Sequence, residues 1–335
     1  MDDAIIAILN YNGKEILAKY LPNIIQHSHY PLVVIDNGSL DDSIKFINSN
    51  FPSIKLILLD KNHGYSKGYN LGLEKIQGDF RYYILLNSDV QVTPGWDQEM
   101  VKFMTDHPGT AASQPKVRSL SMDGYFDYAG AGGGFLDHLG YPYCRGRILH
   151  TIEKDLGQYD DQREIDWASG ACFCTDAGLF HEFGGFNPHF FAHMEEIDLC
   201  WRYRNKGFPI RFNGRVTVFH LGGGTLSQTN PFKTYLNFRN SLLMLESNLT
   251  FPDLMKTLWK RLFLDFGALV HIAFTKGFAH SRAIIKAYWH YLRDRKKAIK
   301  SNTGNKNIPS TGPQKVYSII WVYYLKGKRK FSDLT

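Results

Sequence analysis

Four short apolar runs punctuate the first hundred residues: AIIAIL (4–9), LVVID (32–36), IKLILL (54–59) and YYILLN (82–87). They are rich in β-branched residues and nearly continuous, which is how strands buried on both faces of a parallel sheet read. Amphipathic stretches near 14–27, 41–50 and 66–77 lie between them as helices, with Ser39 or Asp41 placed to cap the second. Strand–helix–strand repeats at this spacing demand right-handed crossovers in an open α/β sheet. Ligands of such sheets sit beyond the carboxyl ends of the strands. Those ends read NYNG (10–13), DNGSLDD (36–42), DKNHGYSKGYNLG (60–72) and NSD (87–89), so polar, glycine-rich and acidic residues gather on one edge. A turn alone explains each; their joint placement points to a site.

Further along, the glycine- and tyrosine-rich 120–150 reads as a long loop over the sheet edge, and IDWASGACFCT (165–175) as a strand before a short helix near 176–183. The segment FAHMEEIDLCWR (191–202) opens a helix at about Glu195, and RVTVFH (215–220) is another strand. Helices are expected over 234–248, 253–275 and 281–299, then a linker over 301–313 and a last apolar–basic segment. A chain of 335 residues is long enough to bury a substantial core. The start, MDDAIIAILNYNG, is acidic and lacks the basic region of a signal peptide. Four cysteines, 144, 172, 174 and 200, have no paired CxxC spacing, so reduced thiols are expected and structural zinc is not.

Seven motifs follow one another in an order that resembles the family-2 glycosyltransferases, inverting enzymes of the GT-A fold, and especially their rhamnosyltransferase-like branch in bacterial surface-polysaccharide synthesis. They are NYNG, VVIDNGSLDDS, NHGYSKGYNLGL, LLNSD, WASGA, GGFNPHFFAHMEEIDLCWR and VFHLGGGT, and they span roughly residues 4–250. The resemblance implies a mostly parallel, Rossmann-like nucleotide-binding sheet flanked by helices. A catalytic domain would occupy 1–250, its nucleotide-sugar half about 1–112 and its acceptor half about 113–250. Residues 251–335 would form a basic helical extension. Two departures stand out. The metal motif is Asn87-Ser88-Asp89 instead of a full Asp-x-Asp, and the usual Glu-Asp pair is Glu195-Glu196.

Sugar transfer from a nucleoside diphosphate requires that the nucleotide be held, the leaving charge neutralised and the acceptor hydroxyl deprotonated. Asp36 can accept a hydrogen bond from the N3–H of uracil or thymine, so a UDP- or dTDP-sugar donor is expected; Asn37 and Asp41 are also good turn residues. The resemblance adds Asn10, Asn12, Asn62, Gly64, Gly68, Asn70 and Asn87 to the nucleotide side. It also makes Asp89 and His220 the ligands of Mn2+ or Mg2+, an ion that would neutralise charge on the diphosphate. Glu196 aligns with the catalytic base and Glu195 is its rival; carboxylates in a first helical turn also suit the macrodipole without any catalytic purpose. Trp167, Ser169, Gly170 and Asp198 fall on the acceptor side.

Charge is segregated. Residues 253–335 hold 17 Lys or Arg against four Asp or Glu, whereas the rest of the chain is slightly acidic. With Trp and Tyr beside the cations, an anionic membrane surface is the expected partner, and no nucleic-acid motif accompanies the charge. The expected enzyme sits at the inner face of the cell membrane, in the cytoplasm, and extends a saccharide linked to a polyprenyl diphosphate. A sugar nucleotidyltransferase would carry a basic, glycine-rich phosphate loop near the N-terminus, which is absent; an inactive nucleotide-sugar-binding module would bind donor without turnover.

Overall fold

The computed structural model describes residues 2–222, 229–297, 311–313 and 316–334. Gly223–Thr225 of the last motif and residues 301–310 of the linker lie outside them. The chain begins β1 (Asp2–Asn10), α1 (Lys14–His27), β2 (Leu32–Asp36), α2 (Ser43–Asn50), β3 (Lys55–Leu58), α3 (Gly64–Glu74) and β4 (Phe80–Leu86). Then come β5 (Val90–Val92), α4 (Trp96–Asp106), β6 (Ala112–Ser119), β7 (Gly134–Leu136), β8 (Pro142–Cys144), β9 (Arg147–Ile148) and β10 (Thr151–Ile152). The remainder is β11 (Gln162–Ile165), β12 (Cys172–Asp176), α5 (Ala177–Glu182), α6 (Glu195–Asn205), β13 (Ile210–His220), α7 (Pro231–Asn248), α8 (Phe251–Thr275), α9 (Phe278–Asp294) and α10 (Ile319–Tyr324).

One nine-stranded sheet, ordered β11-β13-β6-β12-β4-β1-β2-β3 with β5 on β13, forms the centre. The four strands expected from sequence run parallel, β1 lying between β2 and β4. The chain steps outward from β1 through β2 to β3 and then crosses back to β4 on the other side of β1, so the crevice at the carboxyl end of β1 is the switch point where such sheets bind ligands. Alternate residues explain the unbroken apolar runs. Ile5 and Ala7 join one buried cluster, whereas Ala4, Ile6 and Ile8 join another on the opposite face. Helix α3 lies so close to β2 that a Cβ on Gly72 would stand 2.4 Å from Ile35 Cδ1.

Sequence reasoning needs correction in four places. The loop expected over 120–150 contains a four-stranded antiparallel sheet, β10-β9-β8-β7, because Phe135, Tyr143, Cys144 and Ile148 between the glycines are core residues. The single strand expected over 165–175 is two, β11 and β12; the Trp167 indole N–H and the Ser169 hydroxyl are drawn instead to the carbonyls of Phe135 and Ala129. Neither Ser39 nor Asp41 caps α2, whose N-cap is Asp42 without a side-chain bond; Asp41 accepts from Ser43 and from the Lys14 amide instead. The helix expected over 281–299 begins earlier, at Phe278, and ends at Asp294, with Ile284 buried and Ile285 and Leu292 exposed. All four cysteines are free and buried.

The basic extension is docked on the body. In α8, Arg261 lies 3.8 Å over the Tyr141 ring and donates to Ser241 Oγ, while Asp265 accepts from the hydroxyls of Tyr141 and Tyr288, each at 2.6 Å. Beyond the linker, Ile319, Val322, Tyr323, Phe331 and Leu334 are buried in the main core, and Phe331 packs between Phe135 and Tyr159. Among the described residues no helix is long and apolar enough to cross a membrane.

The Gly72 contact gives a test of the α3–β2 packing. Gly72→Ala overpacks it and should lower unfolding stability by about 1–3 kcal/mol, read from the urea midpoint.

Candidate functional site

The ends of β1 and β2 meet in register, Asn10 opposite Asp36. Asn10 Nδ2 donates to Asp36 Oδ2 at 2.9 Å, and the Ser39 amide donates to Asp36 Oδ1 at 2.9 Å. Asn12 Oδ1 accepts from the Leu40 amide, and Ser39 Oγ accepts from the Asn12 amide. These bonds lace the two loops together beside a cavity of about 460 Å³ lined by Asn12, Gly13, Lys14, Leu40 and Asp41. Next to it, Asn37 Nδ2 donates to Asn62 Oδ1 and to the Gly64 carbonyl, and its Oδ1 accepts from the His63 amide. Gly64 has φ +77°, and a Cβ on Gly68 would stand 3.0 Å from Asn37 Nδ2. Asn10, Asn12, Asp36, Asn37, Asp41, Asn62, Gly64 and Gly68 thus form one neighbourhood. Asn70 does not share its bonding: both of its polar ends are used by the Phe186 backbone, at 2.7 and 3.0 Å, latching α3 to the turn before α6.

Where β13 pairs with β5, His220 comes to Asp89: Nε2 stands 3.2 Å from Oδ1, and Asn87 Nδ2 is 3.3 Å from the same nitrogen. The other ring nitrogen, Nδ1, lies 3.0 Å from Asp127 Oδ1. Sequence reading missed Asp127, which lies 93 residues from His220 in the chain and belongs to no motif. Burial would lower the His220 pKa, but its bonds to Asp127 and Asp89 outweigh that and push it up to about 10. Burial likewise pushes Asp89 upward, and the His220 contact overrides it to hold the carboxyl below its ordinary value.

These donors suit a divalent ion. Once an ion displaces the Nε2 proton that the two carboxylates otherwise hold on the ring, a carboxylate oxygen and an imidazole nitrogen converge, with the second carboxylate orienting the ring through its far nitrogen, the usual supporting arrangement for a metal-binding histidine. Among the described residues no three His, Cys, Asp or Glu side chains are grouped to hold a metal, so an ion held by Asp89 and His220 would need further ligands from substrate oxygens or water.

The turn before α6 is strained. Phe191, His193 and Met194 have φ of 64°, 70° and 73°, a region that costs a side chain-bearing residue about 1–3 kcal/mol. Backbone carbonyls of the turn are clasped from α7. Asn240 Nδ2 lies 2.8 Å from each of the carbonyls of Phe190, Ala192 and His193, and Arg239 donates to His189 and Phe190. From the other side the Tyr65 amide donates to the Phe191 carbonyl. The sequence FRN (238–240) therefore has a purpose that only the fold reveals.

The clasp delivers Glu195 and Glu196 to the first turn of α6. Each has one buried carboxylate oxygen, Oε2, without a hydrogen-bond partner among the described residues. Burial, then the adjacent Glu196, raises Glu195 well above the ordinary carboxyl value. Burial holds Glu196 up to about 7, partly opposed by backbone amides that include Gly170. The Tyr65 hydroxyl donates to the Gly170 carbonyl at 3.1 Å, and a Cβ on Gly170 would stand 3.8 Å from Glu196 Oε1. The next residue, Ala171, accepts from the Asn87 amide, so this segment joins the carboxylate pair to the Asp89–His220 pair. Asp198 belongs to the packing: it accepts from Arg202 and Asn248, both at 2.9 Å, and is fully buried. Trp167 and Ser169 are buried and bonded as described above, leaving Gly170 as the acceptor-side residue that reaches the carboxylates.

Asn240→Ala leaves three carbonyls of a strained turn without their shared donor. A loss of about 1–3 kcal/mol is expected by denaturant titration, with faster deuterium uptake over 190–194 than elsewhere in the body.

Comparison with known proteins places this geometry. Residues 5–160 match the model for Glycosyl transferase family 2. N-acetylglucosaminyl-diphospho-decaprenol L-rhamnosyltransferase of Mycobacterium tuberculosis is 25% identical over 230 residues, covering 64% of this chain and 75% of that protein. GalNAc-T7, solved with UDP, GalNAc and Mn2+, superposes with a TM-score of 0.58 at 13% identity, over 88% of this chain and 57% of its own. A mannosyltransferase from Pyrobaculum calidifontis, solved with GDP-Man and Mn2+, gives 0.52 at 12% identity, over 88% and 90%. The solved structures share the fold alone, and the family match carries the rest: the chain holds a glycosyl transferase family 2 domain at residues 5–160 on a GT-A fold.

Proposed function

We propose that this glycosyltransferase is inverting and metal-dependent, moving a sugar from a UDP- or dTDP-sugar to a hydroxyl of a polyprenyl-diphosphate-linked saccharide in cell-surface polysaccharide synthesis. The observation that carries the reading is the carboxylate pair Glu195–Glu196, Glu195 buried and Glu196 partly so, each with one buried oxygen unmatched among the described residues, joined through Gly170–Ala171 to the edge that holds Asp89 and His220.

Glu196 is the base. Its pKa near 7 leaves it partly ionised at neutral pH and basic enough to take the acceptor's proton as the hydroxyl attacks. Burial, then the adjacent Glu196, pushes the Glu195 carboxyl well above its ordinary value, which disfavours a second negative charge in the same space. Direct attack by the hydroxyl on the face opposite the departing diphosphate inverts the anomeric centre, and it requires one base and no enzyme nucleophile. Asp89 and His220 would hold Mn2+ or Mg2+, which when bound neutralises charge on the diphosphate. Asp127 keeps the His220 ring turned so that Nε2 faces Asp89. Asp36 retains acceptor capacity beyond its bonds to Asn10 and Ser39, because a carboxylate offers about four lone-pair sites, and it is assigned to the pyrimidine N3–H. The Mycobacterium tuberculosis relative is named for a decaprenol-linked acceptor, which supports a lipid-linked saccharide here. Residues 1–250 are assigned as the catalytic body and 251–335 as the extension that places it at the inner membrane face.

Activity should rise with pH through an apparent pKa near 7, because the base works only when deprotonated. Glu196→Gln should remove that limb and lower kcat by about 10²–10⁴-fold with donor affinity nearly unchanged. Loss in Glu195→Gln with full activity in Glu196→Gln would move the base by one residue.

Metal dependence has its own test. EDTA should stop transfer reversibly, Asp89→Ala should abolish it, and isothermal titration of Mn2+ with UDP present should show the Asp89→Ala protein losing the metal. Full activity of the chelated enzyme would remove the ion from the mechanism.

A further inference from the structure

Helix α8 is built inside out. Its buried residues are Leu254, Thr257, Arg261 and Asp265, so its charged pair faces the protein, satisfied by Tyr141, Tyr288, Ser241 and the Leu139 carbonyl. Its aromatic residues face outward. Trp259, Phe263 and Phe266 are 61–66% exposed and Phe274 is 87% exposed, spaced at intervals that keep them on one side of a helix. A surface helix of a water-soluble body carries the opposite polarity. Trp259 and Phe263 touch each other edge to face, with ring centroids 5.2 Å apart.

The apolar surface continues past α8. Lys260 donates to the hydroxyl of Tyr317 at 2.5 Å, and His271 packs on Tyr324, so the exposed rings of the C-terminal segment flank the same helix. Exposed cations border it: Lys256, Lys260 and Lys276 on α8 and its end, then Lys326, Lys328 and Arg329 beyond α10. Among the described residues no helix is long and apolar enough to span a bilayer, and aromatic rings fringed by lysine are the composition of a surface that lies in the headgroup region.

We infer that the outward face of α8, with Tyr317 and Tyr324 beside it, is a bilayer-docking surface that seats in an anionic lipid interface. Charge decides the occupant. A second copy of this chain would bring the same cationic fringe against itself, whereas anionic headgroups meet it with opposite sign and accept the rings between them. The inference deepens the membrane placement proposed above by naming the surface on α8, with the Lys326–Lys330 cations in support. It rests on exposure and charge and not on sugar transfer.

The test uses the full chain and sedimentation with phosphatidylcholine vesicles, with and without phosphatidylglycerol. The wild type should bind the anionic vesicles, weakening with salt. The triple variant Trp259→Ser, Phe263→Ser, Phe266→Ser should lose about tenfold or more in partitioning, with its melting temperature and its transfer to a soluble acceptor analogue unchanged. Lys326→Gln, Lys328→Gln, Arg329→Gln should weaken binding mainly at low salt. Undiminished vesicle binding by the triple variant would overturn the inference. So would equal binding to neutral vesicles, or a wild-type dimer by light scattering that the triple variant dissolves. Vesicle binding without sugar transfer by the wild type would sink the proposed activity and leave the docking surface standing.

Discussion

Two adjacent glutamates, one buried and one partly buried, each with a carboxylate oxygen shut from water and unmatched among the described residues, form the constraint around which the rest of this site is arranged. A buried carboxylate strongly disfavours its charge, and a second one alongside disfavours it further. Left to itself, such a pair would swing into solvent. Here the preceding turn cannot relax, because Phe191, His193 and Met194 are fixed in the left-handed region by bonds from α7 and α3. Strain in the backbone and desolvation of the side chains are thus maintained together, by Asn240, Arg239 and the Tyr65 amide.

The same logic separates the acidic residues into groups that do different things. Asp198 is buried yet satisfied, bonded to Arg202 and Asn248, and behaves as part of the core. Asp89 is buried and kept ionised by His220, which Asp127 in turn orients. Glu195 is buried and Glu196 partly so, and each keeps one buried oxygen unmatched among the described residues. Three neighbouring environments therefore set the carboxyl groups apart: Asp198 is fully bonded, Asp89 is held below its ordinary value, and Glu195 and Glu196 are raised above theirs.

Helix α8 shows a related inversion at the level of packing. Its Arg261 and Asp265 would be costly in a core if either lacked partners. Tyr141, Tyr288 and Ser241 supply them, and the helix is held by polar contacts with its rings left outward. The rings thus lie on the surface proposed above to meet lipid, and among the described residues no helix is long and apolar enough to cross a membrane.

The parallel β3-β2-β1-β4 core was legible in the sequence, because strands buried on both faces must be apolar at every position, and so were the helices between them. The residues at the strand ends, from Asn10 and Asp36 to Asp89, were legible as well, since a parallel sheet gathers its carboxyl ends on one edge. Three things were not. The small antiparallel sheet was hidden among glycines whose pattern resembles a loop. Asp127 and Asn240 act on partners dozens of residues away, and no local spacing signals them. The outward face of α8 was ambiguous, because alternating polar and apolar residues fix that a helix has two sides but not which side meets the protein. Periodicity is a property of the chain; the choice of partner belongs to the tertiary structure, where Tyr141 and Tyr288 stand ready to receive Arg261 and Asp265.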